Sequence, residues 1–309
     1  MLLSFILLII GFVLLTRGAD YFVDGASALA NKMRIPAIVI GLTVVAMGTS
    51  APEAFISIIS AIHNSNAIAI GNVIGSNIAN VCLILGLTSI IYTLSVQKNT
   101  LKYEMPFVAF ITMLLCWMGM KYGAVSRGCA LVLLGLFVLF LAYLYIISLK
   151  NRDQDVEIKN IGGLKIALYV IGGLFALILG SNLTVDSAIN IARHIGVSER
   201  VIGLTIIAFG TSVPELVTCV VAALKKQSDI AIGNIIGSNI FNILFVLGIA
   251  GIISPIPFDS AFIFDGFIAL MAVILLMLFT YKHKRLGRMG GIIFIIIYVL
   301  YVIFLAIGK

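Results

Sequence analysis

Charge is what this chain has least of. Of its 309 residues only 11% are Asp, Glu, Lys or Arg, while 61% are hydrophobic; an ordinary soluble domain carries about 25% charged residues. That balance excludes a water-soluble domain. Cysteine is scarce as well, at four, and Cys82, Cys116, Cys129 and Cys219 all fall inside apolar runs without metal-ligand spacing. This excludes a disulfide framework or thiolate metal site and leaves core packing as their role. The apolar runs show no alternation of apolar and polar residues, which excludes a lipid-embedded barrel. No activated nucleophile or pair of catalytic aspartates occurs, so an intramembrane hydrolase is disfavoured, and no enzyme is expected. Residues 1–16 are apolar but lack the basic n-region of a signal peptide. They read as part of a mature helix.

What is present is a succession of apolar runs of about 20 residues, each long enough to cross a hydrocarbon core of about 30 Å. The fold class expected is an all-α integral membrane protein with ten transmembrane helices. The spans are placed at 1–30, 36–62, 68–93, 104–120, 125–149, 163–192, 200–224, 229–253, 260–281 and 289–307. With ten spans both termini share one face. Fourteen Lys and Arg then fall in loops on one side and five on the other, with Arg17 inside a span. Basic residues are held on the cytoplasmic side, so both termini are expected outside the cell, in the plasma membrane. The net charge of +7 is thus a topology signal, and no nucleic-acid partner is expected.

The chain repeats itself. GLTVVAMGTSAPE at 41–53 returns as GLTIIAFGTSVPE at 203–215, and IAIGNVIGSNIAN at 68–80 returns as IAIGNIIGSNIFN at 230–242, both at an offset of 162. Positions 39–86 and 201–248 share 25 identities in 48 without a gap. The same offset pairs Asp24 with Asp186. Residues 1–150 therefore form one five-helix unit and 163–309 a second, joined by a short charged cytoplasmic linker at 151–162. Five is odd, so the second copy enters the membrane from the opposite face and the repeats are inverted. In transporters this arrangement puts the substrate site near the bilayer midplane, at broken helices on the repeat interface.

Glu53 and Glu215 are the only glutamates in the middle of spans. A carboxylate there costs several kcal/mol to ionise and marks a functional site by default. Each follows a proline, Pro52 or Pro214, which removes an amide and clashes with the carbonyl four residues back, at Gly48 or Gly210. The break frees carbonyls around Ala46–Ser50 and Ala208–Ser212 and starts a half-helix whose positive end favours an anion. Adjacent Thr and Ser hydroxyls add oxygen. In the next span Asn72, Ser76 and Asn80 stand at i, i+4 and i+8 on one helix face, and Asn234, Ser238 and Asn242 repeat the stripe. Every ligand is a hard oxygen, and two carboxylates match one divalent ion. Ca2+ takes about 6–8 oxygens at about 2.3–2.6 Å. Gly71 with Gly75, and Gly233 with Gly237, read as close helix contacts; Asn77 and Asn239 read as interhelical bonds, and Asp24 and Asp186 as anchors or interhelical partners. Arg17 and Asp20 are spaced to pair.

At these motifs the sequence resembles the cation/calcium exchanger superfamily, specifically its short prokaryotic Na+/Ca2+ exchanger branch, over the whole chain. The resemblance implies a core of the two GTS-x-PE and two GN-x-IGSN helices, across which the long first and sixth helices slide to alternate access. It implies Glu53 and Glu215 as shared Ca2+/Na+ ligands with the carbonyls of Thr49 and Thr211. Its sodium sites map onto Ala46, Ser50, Ser76, Ala208, Ser212 and Ser238. Asn80 matches the family's usual amide, whereas Asn242 stands where several sodium-coupled members carry aspartate. The proton-coupled branch has a glutamate where this chain has Gly75 and Gly237. The large calcium-sensing insert of animal exchangers is absent, so no such regulation is expected.

The activity expected is antiport of Ca2+ for Na+ by alternating access, with these two ions as substrates and no cofactor. The closest rival is an H+/Ca2+ antiporter; a cation channel would need a continuous pore. A monomer in the lipid bilayer suffices for this function.

Overall fold

The computed structural model describes residues 2–150, 162–194 and 210–307. Within them the chain is helical apart from four two-residue strands. Eight helices are long and apolar enough to cross a membrane: α1 (Leu2–Met33), α4 (Asn66–Ile91), α5 (Thr100–Tyr122), α6 (Arg127–Leu149), α7 (Gly163–His194), α9 (Ser228–Ile253), α10 (Ala261–Tyr281) and α11 (Arg288–Ile307). A further span is broken into α2 (Ala37–Thr49) and α3 (Ala51–Ile62), bent by 52°. The remaining helix is α8 (Val213–Leu224), which follows Ser212; residues 195–209, which precede it in the expected span 200–224, lie outside the described residues, as does most of the linker 151–162.

Element ends differ from the sequence reading by a few residues. The largest shift is at α5, which starts at Thr100 instead of 104, through a π-helical turn Thr100–Glu104. Its charges do not end the helix, because Lys102 lays its ammonium 5.1 Å from the Tyr103 ring and long basic side chains snorkel from apolar helix flanks.

Burial separates two kinds of helix. In the most apolar stretch of α9 83% of residues are buried and in α4 72%, against 22% in α1, α7 and α11. The two GN-x-IGSN helices are therefore the core, and α1 and α7 lie at the periphery with one face on the protein. All four cysteines are free and buried.

The α1–α7 contact is made through glycine. A Cβ on Gly18 would lie 2.7 Å from the Leu177 amide nitrogen, one on Gly173 2.6 Å from that of Phe22, and one on Gly180 2.6 Å from that of Leu15. Only hydrogen fits at these points, and the backbones approach as closely as small residues permit. Gly233 and Gly237 of α9 do the same against α2, where added Cβ atoms would meet the Gly41 Cα at 2.9 Å and the Leu42 carbonyl at 2.6 Å. The positions that would face Gly71 and Gly75 by the 162 offset lie outside the described residues.

The strands were not expected. β1 (Leu94–Ser95) pairs antiparallel with β4 (Arg285–Leu286), and β2 (Ala124–Val125) with β3 (Ile256–Pro257). Each pair takes one strand from each repeat, so the repeats are stitched together at both connections.

Candidate cation-binding site

The two breaks have the same geometry. Ser50 and Ser212 sit at φ −82°, ψ 8° and φ −89°, ψ 4°, outside the helical region, with Pro52 and Pro214 in the first turn of the helices that follow. The restart is hydrogen-bonded alike, Ala54 N–H to the Ser50 carbonyl and Leu216 N–H to the Ser212 carbonyl, both 3.1 Å. Pro fits the first turn because its missing amide is unpaired there in any helix.

Proline also deprives the carbonyl four residues back of its amide. At Gly210 the Ser181 hydroxyl of α7 donates to that carbonyl at 3.2 Å. The equivalent of Ser181 is Ala19, which has no hydroxyl, and Gly48 is packed instead by Phe22 and Leu174, which an added Cβ would approach at 3.2 Å. The Ala46 carbonyl accepts the Ser50 amide at 3.0 Å and lies 3.5 Å from the Ser238 hydroxyl of α9.

Glu53 and Glu215 are each 1% exposed and are held by the opposite repeat. Ser50 Oγ donates to Glu215 Oε1 at 2.9 Å and Ser212 Oγ to Glu53 Oε1 at 3.4 Å. The second oxygen of each carboxylate, Oε2, is buried without a hydrogen-bond partner. A layer of amides lies between α4 and α9. Asn77 and Asn239 exchange bonds from Nδ2 to each other's main-chain carbonyl, at 3.3 and 3.4 Å, as interhelical partners should. Asn80 Nδ2 donates to Asn239 Oδ1 at 3.0 Å and Asn242 Nδ2 to Asn77 Oδ1 at 3.2 Å. Once more the other atom is left over: Asn80 Oδ1 and Asn242 Oδ1 are buried and unpartnered.

Four buried oxygens, two from each repeat at equivalent positions, thus have acceptor capacity and no donor. Leaving one such group unpaired costs about 1–3 kcal/mol, so each has capacity for a donor or a cation. Thr49 is fully buried, its hydroxyl 3.0 Å from Asn234 Oδ1; Ser76 and Ser238 are buried on α4 and α9, and Thr211 is half-buried beside Ser212. Ala208 lies outside the described residues.

Asn72 and Asn234, expected as oxygen ligands, act as donors instead, and their partners Ser57 and Cys219 escaped the sequence reading. Asn72 Nδ2 donates to the Glu53 carbonyl at 3.2 Å and to Ser57 Oγ at 2.9 Å, while Asn234 Nδ2 donates to Cys219 Sγ at 3.4 Å. Ser57 and Cys219 are the same repeat position, one turn after the glutamate, and that spacing was the available signal. Asp24 is an interhelical partner as expected: Lys225, just past α8, lies 2.8 Å from its carboxylate and 3.3 Å from that of Asp20.

The model of the sodium/calcium exchanger protein family matches residues 3–146 and 165–307. The putative antiporter CaxA of Alkalimonas amylolytica is 38% identical over 95% of this chain and 95% of its own. The sodium/calcium exchanger MaX1 of Methanosarcina acetivorans is 32% identical over 89% and 90%. Among solved structures, the sodium-calcium exchanger NCX_Mj, soaked with Na+ and Sr2+, superposes with a TM-score of 0.85 at 33% identity, covering 97% of this chain and 98% of that one. These relatives are exchangers and antiporters, not enzymes. Matched from end to end by such proteins and by their family model, this multi-pass membrane chain belongs to the sodium/calcium exchanger protein family.

Proposed function

We propose that the protein is a secondary active antiporter exchanging Ca2+ for Na+ by alternating access at the centre between the two repeats. The observation that carries this reading is the set of four matched, unpartnered oxygens on Glu53, Glu215, Asn80 and Asn242. The carboxylates supply two negative charges for one Ca2+. Exchange follows from sharing: Ca2+ or several Na+ neutralise the same two glutamates, and the loaded carrier rearranges. Ser50, Ser212, Ser76 and Ser238, with the carbonyls of Ala46, Thr49, Ala208 and Thr211, complete the hard-oxygen set for the smaller charge of Na+.

The architecture proposed is ten spans in two inverted five-helix repeats, 1–150 and 163–309. Reciprocal hydrogen bonds and cross-repeat strand pairs support it, because each is what a pseudo-twofold axis in the membrane plane produces. The excess of Lys and Arg in one set of loops supports both termini outside the plasma membrane. The test is radioactive Ca2+ uptake into proteoliposomes under a Na+ gradient alone and a pH gradient alone. Uptake is expected with the Na+ gradient. Uptake driven only by protons would replace the reading with H+/Ca2+ antiport.

A further inference from the structure

A second buried carboxylate sits away from the exchange centre. Glu104, at the end of the π-helical turn that opens α5, is 3% exposed. The Tyr143 hydroxyl of α6 donates to its Oε1 at 2.5 Å, and its Oε2 is buried without a partner. Thr100, one turn earlier on α5, is 1% exposed and its hydroxyl is also unpartnered. Among the described residues no basic nitrogen pairs with Glu104.

Both residues line a cavity of about 20 Å3, together with Gln97, Asn99 and the apolar Ile38, Val39 and Leu42 of α2. Gln97 gives its Nε2 to Asp229 Oδ2 at 2.6 Å, which leaves its amide oxygen as an acceptor. Room for one particle of water size begins at about 10–15 Å3. The cavity has room for one such particle.

Chemistry selects it. A buried carboxylate served by neutral donors alone is under-compensated. A water would satisfy Oε2 without neutralising it. A proton would neutralise it, and could be shared with the Thr100 hydroxyl, but would leave the void unfilled. A single small cation does both, and one carboxylate with neutral oxygens matches one positive charge and not two. The geometry points to a second cation site, for one monovalent ion of the size of Na+, held by Glu104, Thr100 and Gln97. Asn99, in its lining, is exposed, which gives the site an edge on solvent apart from the exchange centre. Leu42 stands one turn before Ala46 on α2, which joins the wall of this site to the broken span.

The test is binding of radioactive Na+ to the purified full-length chain carrying Glu53→Gln and Glu215→Gln, which removes both carboxylates of the exchange centre. Adding Glu104→Gln, close in shape and still able to accept from Tyr143, is expected to remove one bound Na+ per chain. Thr100→Val is expected to weaken that binding, and Tyr143→Phe, which takes away no ligand, to preserve it. Absence of Na+ binding in the double variant, or binding that Glu104→Gln leaves unchanged, overturns the proposal. Should Glu104→Gln not give a monodisperse protein, Thr100→Val decides alone, since full Na+ binding there has the same effect.

Discussion

Glu53 and Glu215 each give one oxygen to a serine of the other repeat and hold one in reserve. Glutamine keeps the shape and still accepts from that serine, but removes one of two charges set against a divalent ion. Either Glu53→Gln or Glu215→Gln is therefore expected to bring Ca2+ uptake down to background while the protein elutes and melts as before; normal uptake by either variant would remove the glutamates from the site. Asn242 is subtler. Its Nδ2 donates to Asn77 Oδ1, so an ionised aspartate there would face a carbonyl oxygen with nothing to donate, whereas a protonated one would restore the bond. Ionising a third buried carboxylate beside the first two is disfavoured. Asn242→Asp is thus expected to keep Na+-driven exchange at neutral pH. Ca2+ flux under separate Na+ and pH gradients checks this, and Na+ coupling found only in the variant would show that the native amide abolishes it.

Among elements, the glycine-faced pair α1 and α7 is sensitive to size. A side chain at Gly173 must displace the Phe22 backbone, since its Cβ alone would lie 2.6 Å from an amide nitrogen. Gly173→Val is expected to lower stability by about 1–3 kcal/mol, the usual effect of overpacking, read as a fall in melting temperature in detergent. Unchanged melting would mean that the helices separate freely. Much of this scale was legible in the sequence. Pro52, Pro214 and the glutamates after them announce the breaks, since each proline removes an amide in mid-span, and the doubled GN-x-IGSN run marks α4 and α9. What escaped was whatever depends on a partner far along the chain. Two-residue strands such as Leu94–Ser95 carry no periodicity, Lys225 gives no hint that it reaches Asp20 and Asp24, and nothing local separates Ser181 from Ala19. That last difference makes the two breaks unequal, with a hydroxyl from α7 bonded at Gly210 and Phe22 and Leu174 packed beside Gly48.

For the whole molecule, the proposed mechanism divides a frame from a slider. α4 and α9, the amide layer and both strand pairs join the repeats across the middle, while α1 and α7 rest on this frame by one face. Facing residues of antiparallel strands lie about 4.5–5.5 Å apart at Cα, within disulfide reach. Leu94→Cys with Leu286→Cys, which are register partners, is expected to oxidise without loss of Ca2+ exchange. Asp24→Cys with Lys225→Cys, bridged by a reducible bis-methanethiosulfonate that makes up the length of the ion pair at this point, ties α1 to the frame and is expected to stop exchange until reduced. The four native thiols are buried and need not be replaced. Equal inhibition by both crosslinks would mean that the strands move too. The cross-repeat stitching also bears on how the protein is made. During synthesis Leu94 and Val125 must wait for Leu286 and Ile256, and Asn77 for Asn239 and Asn242. The first half enters the bilayer with its strand edges and amides unmatched, and its folding finishes only when the last two helices arrive.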